Sequence, residues 1–159
     1  MQPHPLDPDT ASILGIVFLI YGLVIVAVIV ATYVLMAIAL SAFFRKVGVA
    51  AWIAWIPFYA HWKWLEVSGQ PGYLALFSLI PYFGSLVTSI FIYIGMYRSG
   101  IAFGKDPSFV VLGIFLPFVW LFMLGSRSSV YRPELLAARG YPAPLVGYGS
   151  AVGPYAPAA

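Results

Sequence analysis

From Ile13 to Phe44 the chain carries no charged side chain, and a run this long and apolar leaves few ways to fold. As one helix rising 1.5 Å per residue it is about 48 Å long. That exceeds the roughly 30 Å hydrocarbon core of a bilayer, so the helix is expected to tilt or to extend past one face. Asp9 or Thr10 supplies an N-cap, Arg45 and Lys46 close the run, and Gly48 breaks it. Composition points the same way, with 62% hydrophobic and 8% charged residues, where soluble domains carry about a quarter charged. Eight cations and five anions cannot solvate a water-facing surface, so the apolar excess is expected to meet lipid or other apolar protein. The expected class is an all-α integral membrane protein with no room for a separate catalytic domain. The run behind the Lys- and Arg-free opening, Met1 to Thr10, is about three times a signal-peptide core and is expected to stay as a signal anchor.

Three further apolar segments follow, giving a small bundle of four, three or all of them crossing. Ala50 to Val67 contains Pro57 and ends among His61, Lys63 and Glu66. Trp52, Trp55, Tyr59 and Trp62 recur in it at helical spacing, as an ordinary packing face or as a helix lying in the headgroup region beside Lys63. Gln70-Pro71-Gly72 reads as a turn, and Tyr73 to Tyr97 form an uncharged segment in which Pro81, with Gly84 close behind, predicts a kink. Phe109 to Leu124 contains Pro117 and is barely long enough to span. The expected order is a short external segment over 1–12, a membrane helical domain over 13–126, and a tail over 127–159. From Arg139 onward Pro, Gly, Ala and Tyr dominate, a composition that predicts disorder unless a partner holds it.

The cations discriminate between two topologies that both begin outside. If every segment crosses, Arg45, Lys46, Arg98 and Lys105 oppose Lys63, Arg127, Arg132 and Arg139 with no bias. If the second segment returns to its own side, only Arg98 and Lys105 stay outside, which obeys the positive-inside rule better. The expectation is a multi-pass protein of a bacterial plasma membrane with its C-terminus in the cytoplasm and Arg45, Lys46, Trp52, Trp55, Trp62 and Lys63 at the inner interface.

Ile56-Pro57-Phe58-Tyr59, Ile80-Pro81-Tyr82-Phe83 and Leu116-Pro117-Phe118-Val119 repeat an apolar-Pro-aromatic pattern. Each proline removes a backbone donor and frees a carbonyl one turn earlier. Together with Phe44-Arg45-Lys46-Val47-Gly48, Ala51-Trp52, Gly69-Gln70-Pro71-Gly72-Tyr73, Phe103-Gly104-Lys105 and Leu112-Gly113-Ile114-Phe115-Leu116-Pro117-Phe118, these pieces resemble a family of small bacterial membrane proteins of unknown function. The resemblance covers roughly residues 44 to 131. Ala60 and Gly84 stand where the family commonly has Asn, and Arg98 where it tends to carry an acid. The resemblance implies fold and location and leaves function open.

Candidate chemistry is sparse. Cysteine is absent, which excludes disulfides and thiolate metal sites. His4 and His61 are the imidazoles, too few for a zinc or bis-histidine haem site. Lys46, Lys63 and Lys105 sit at predicted helix ends where water keeps them charged, so a serine-lysine hydrolase is not expected. No catalytic residue, cofactor or metal is expected, and cations that never form a block argue against nucleic acid. Small residues at four-residue spacing, Ala27 and Ala31, Ala37 and Ser41, Gly95 and Ser99, Gly100 and Gly104, let helices approach closely, within the chain or against another subunit. The expected function is a non-catalytic membrane subunit or scaffold, an accessory to a larger complex such as a respiratory assembly, with lipid and other membrane subunits as partners. The alternative is a small transporter or channel built on the proline breaks.

Overall fold

The computed structural model describes residues 7–147. Every regular element among them is helical: α1 (Pro8–Val47), a 3₁₀ turn (Ala51–Trp55), α2 (Pro57–Val67), a longer 3₁₀ stretch (Gly72–Leu79), α3 (Phe83–Ala102), α4 (Phe109–Phe115), α5 (Pro117–Gly125) and α6 (Glu134–Ala138). Contacts divide the chain into two compact units that part between Leu35 and Met36.

The first unit holds most of α1. The helix starts at Pro8, ahead of the expected cap, with Ala11 N–H donating to the Asp7 carbonyl at 3.0 Å. Proline suits the first helical turn because its missing donor would be unpaired there in any case. From Ile13 through Leu19 and on to Val30 the large apolar side chains are exposed. Among the described residues one helix, over Asp9–Val47, is long and apolar enough to cross a membrane, and none of its most apolar window is buried within the chain.

The second unit begins at Met36 and encloses the core. Phe43, fully buried, has the rings of Phe44, Trp64, Phe103 and Trp120 at 5.9, 6.1, 6.0 and 6.4 Å, and Trp64 stacks on Trp120 at 6.2 Å. These rings come from α1, α2, the end of α3, and α5, so the aromatic cluster joins elements far apart in sequence. Small residues let the backbones close: a Cβ at Gly125 would sit 2.9 Å from that of Ala42, and one at Gly113 would collide with Met96 and the Trp120 ring.

Four helices end in the same way. Gly48, Gly69, Gly104 and Gly140 all have φ between 65 and 84°, and the next residue's N–H returns to a carbonyl in the last turn: Val49 to Phe44, Gln70 to Leu65, Lys105 to Gly100, Tyr141 to Leu136. This is the Schellman arrangement, and the left-handed residue it needs is most easily glycine.

The prolines break helices rather than bend them. The expected second segment divides at Ile56 into a 3₁₀ turn and α2, with Pro57 at the start of α2. The Trp52 and Trp55 side therefore does not continue as one helical face into Trp62. The third segment divides at Ile80 to Tyr82, where Tyr82 has φ 64°, so a break stands where a kink was expected. The fourth divides at Leu116, with Pro117 starting α5.

The tail expectation also needs correction in its first part. Tyr131 and Leu136 are buried in the core, α6 lies within the expected tail, and Leu145 N–H donates to the Glu66 carbonyl at 2.8 Å. Burial of these apolar side chains and pairing of the backbone order a segment whose later composition suggested disorder. The rest of the expected tail, residues 148–159, lies outside the described residues.

Candidate functional site

Two concave features lie on α3, one a mostly apolar groove with Arg98 at its end and the other a pocket lined by several hydroxyls. Toward the C-terminal half of α3, the turn after α2 threads against the helix. Buried Gln70 donates through Nε2 to Ser68 Oγ at 2.9 Å and to the Phe91 carbonyl at 3.0 Å, while Ser68 Oγ donates to the Leu65 carbonyl at 2.8 Å. Gly95 makes room, since a Cβ there would stand 3.2 Å from Ser68 Oγ and 3.3 Å from Gln70 Nε2. Arg98 reaches the same turn, donating through Nη1 to the Ser68 carbonyl at 3.2 Å.

The segment after α6 closes over this junction. The Arg98 guanidinium lies 5.3 Å from the Tyr141 ring centroid, and Tyr141 meets Tyr97 edge-on at 6.2 Å. Hydrogen bonding to Tyr97 pushes the Tyr141 phenol above its ordinary range. Gly69, with φ +72°, lies under Pro142 and Ala143, whose carbonyl oxygens would be 2.6 and 2.9 Å from a Cβ. Beside Arg98 a groove of about 500 Å³ runs between α3 and α4, walled largely by Ile90, Ile94, Val110 and Ile114.

The second feature is a pocket of about 320 Å³ between α2, the 3₁₀ stretch and the N-terminal half of α3. Ser78, Ser85, Thr88, Ser89, Tyr93 and His61 contribute polar groups to it. Its aliphatic hydroxyls donate to backbone: Ser78 to Ala75 at 2.7 Å, Ser85 to Tyr82 at 3.4 Å, Thr88 to Leu74 at 3.5 Å and Ser89 to Ser85 at 2.7 Å. A hydroxyl that has given its proton still offers lone pairs, so the pocket is rich in acceptors. One of these acceptors, the Tyr82 carbonyl, lies at the break itself.

The small-residue pairs part company. Ala27 and Ala31 are exposed, whereas Ala37 and Ser41 are buried in the second unit, with Ser41 Oγ donating to the Ala51 carbonyl at 3.0 Å. Gly95, Ser99 and Gly100 are buried inside the chain, and Gly104 is exposed as the left-handed end of α3. Ala37, Ser41, Gly95, Ser99 and Gly100 therefore serve internal packing and are not free for another subunit.

Arg45 is exposed and Lys46 half-buried in the last turn of α1. Trp52 and Trp55 are exposed, and Trp52 packs on Tyr59 at 6.1 Å. Trp62 Nε1 and Lys63 Nζ both donate to the Glu66 carboxylate at 2.7 Å, with Lys63 5.5 Å from the Tyr59 ring centroid. Among the described residues no three His, Asp or Glu side chains gather into a metal-binding set.

Sequence reasoning missed both concave features. The signal for the pocket was the spacing of Ser85, Thr88, Ser89 and Tyr93 on one helix face. For the groove there was only a lone Arg98 at the end of an apolar segment. No curated protein and no solved structure matches this chain. A family profile does match, and its span takes in α2 to α5 with every residue named for the hydroxyl pocket and all of the Arg98 groove except Tyr141. The chain belongs to that family, DUF5684, a family of unknown function whose match covers residues 52–133.

Proposed function

We propose that this chain is a non-catalytic membrane subunit, anchored by α1 and attached through it to a larger membrane assembly such as a respiratory complex. One observation carries the reading: Ile13 to Val30 offer an unbroken apolar surface, and the close-packing pair Ala27 and Ala31 lies exposed on it. Lipid tolerates the Leu, Ile and Val of this surface, but small residues gain dispersion contacts only when another helix comes close. The excess of cations supports a multi-pass bacterial plasma-membrane protein with Thr10 outside and the segment after Arg127 in the cytoplasm. Because Tyr141 meets Arg98 and Arg132 N–H donates to the Ala102 carbonyl, the Arg98 end of α3 belongs on that same side, not outside as the charge count alone had it. Gentle solubilisation of native membranes tests the reading: the chain is expected to migrate with partners on native gels, and Ala31→Leu to weaken that association. A monomer in several mild detergents, with no crosslinked partner in native membranes, refutes it.

A second reading, a small transporter or channel, is favoured by the acceptor-rich pocket beside the Tyr82 break. Broken helices line binding sites in membrane transporters. Solute flux in proteoliposomes that Thr88→Val diminishes would support this reading over the scaffold.

A further inference from the structure

Among the described residues, where the ion pair is Lys63 with Glu66, Arg98 has no carboxylate partner. Its Nη1 is used on the Ser68 carbonyl, but Nε is buried with no acceptor. A guanidinium partly removed from water with a donor unused is stabilised by an anion whose oxygens can accept from two of its N–H groups at once, as those of a phosphate can. Two phenols, Tyr97 and Tyr141, stand at the same end of the groove, and tyrosine favours the zone where apolar chains give way to headgroups.

The rest of the groove has the opposite character. Ile90 and Ile94 lie one turn apart on α3, and Val110 and Ile114 one turn apart on α4. The apolar wall therefore continues for about two helical turns, roughly 10 Å, from the charged end. Ile90 and Ile114 are half exposed, so the groove opens sideways and a long chain can enter along its length.

An anion at one end and an aliphatic chain along the other is the shape of an acidic phospholipid. We propose that the groove between α3 and α4 binds one anionic phospholipid, its phosphate held by Arg98 with Tyr97 and Tyr141 and an acyl chain laid over Ile90, Ile94, Val110 and Ile114. The proposal rests on the membrane reading above and adds a ligand to it. Basic pockets between membrane helices are known to take lipid headgroups, and this one pairs its cation with an apolar trough that a free phosphate could not use. Charge selects the headgroup, and the trough selects a molecule with a tail.

Carbonate washing of native membranes comes first, and retention of the full-length chain is expected. Release would overturn the membrane reading and the lipid site together. The purified chain is then placed in nanodiscs or mixed micelles containing phosphatidylglycerol or phosphatidylcholine, and retained lipid is counted by native mass spectrometry. Phosphatidylglycerol is expected to be retained in preference, and Arg98→Gln to weaken it about tenfold or more. Arg132→Gln, which removes an exposed cation away from the groove, is expected to leave retention unchanged. Ile114→Trp fills the trough from α4 without touching Arg98, so it tests the site even if the Arg98 variant folds poorly, and it too is expected to reduce retention. Equal retention of the two lipids, equal effects of the two arginine variants, or competition by glycerol phosphate as strong as by the lipid would overturn the lipid site while leaving the membrane reading standing.

Discussion

Phe18 and Phe43 lie on the same helix, in the same uncharged run, and no local feature of the sequence separates them. Phe18 is 73% exposed, whereas Phe43 is 0% exposed at the centre of four aromatic rings. Truncating Phe43 to Ala removes the transfer energy of a buried ring and leaves a cavity that four rigid neighbours cannot readily fill. Such changes cost about 3–5 kcal/mol. Phe18→Ala removes an exposed side chain and leaves no internal cavity, so its effect on folding is expected to stay within about 0.5 kcal/mol. Phe43→Leu, closer in volume, should fall between them at roughly 1–1.5 kcal/mol. Reversible unfolding in dodecyl maltoside with rising dodecyl sulfate provides the assay, read by tryptophan fluorescence because Trp64 and Trp120 lie against Phe43. Equal destabilisation by Phe18→Ala and Phe43→Ala, or a cost below about 1 kcal/mol for Phe43→Ala, would refute the placement of the core at this end of α1.

Gln70→Leu removes two buried hydrogen bonds, to Ser68 Oγ and the Phe91 carbonyl, and is expected to destabilise by about 1–3 kcal/mol in the same assay; a neutral result would mean that the turn does not dock on α3. Gly69→Ala forces a side chain into a left-handed position facing the Pro142 carbonyl 2.6 Å away, so it should release the segment after Gly140, seen as faster proteolysis at residues 141–147 with the core intact. Cysteines replacing Thr10 and Ser128 in this cysteine-free chain, probed in intact cells with an impermeant thiol reagent, are expected to label at 10 and not at 128. The reverse pattern contradicts the proposed orientation.

Local rules made much of the helical framework legible in the sequence. The long run before Arg45, the end at Gly48, and interruptions near Pro57, Pro81 and Pro117 follow from backbone constraints carried by one to four residues, whereas the like ends at Gly69, Gly104 and Gly140 came from the structure. A missing donor or a left-handed φ acts within a turn, so sequence alone determines it. The resemblance over residues 44–131 likewise points to the stretch that the family match covers. Composition could not say which apolar face is inside, because Leu, Ile, Val, Ala and Phe are spread almost evenly around α1. Only long-range packing decides that Ala37 is buried and Ala27 exposed, or that Phe43 is core and Phe18 is not. The return of Tyr141 onto Arg98 and of Leu145 onto Glu66 is equally invisible locally. Residues 139–147 taken alone cannot offset their ordering entropy, and the apolar and polar groups that do so are supplied by α2 and α3, far away in the chain and adjacent only once it has folded.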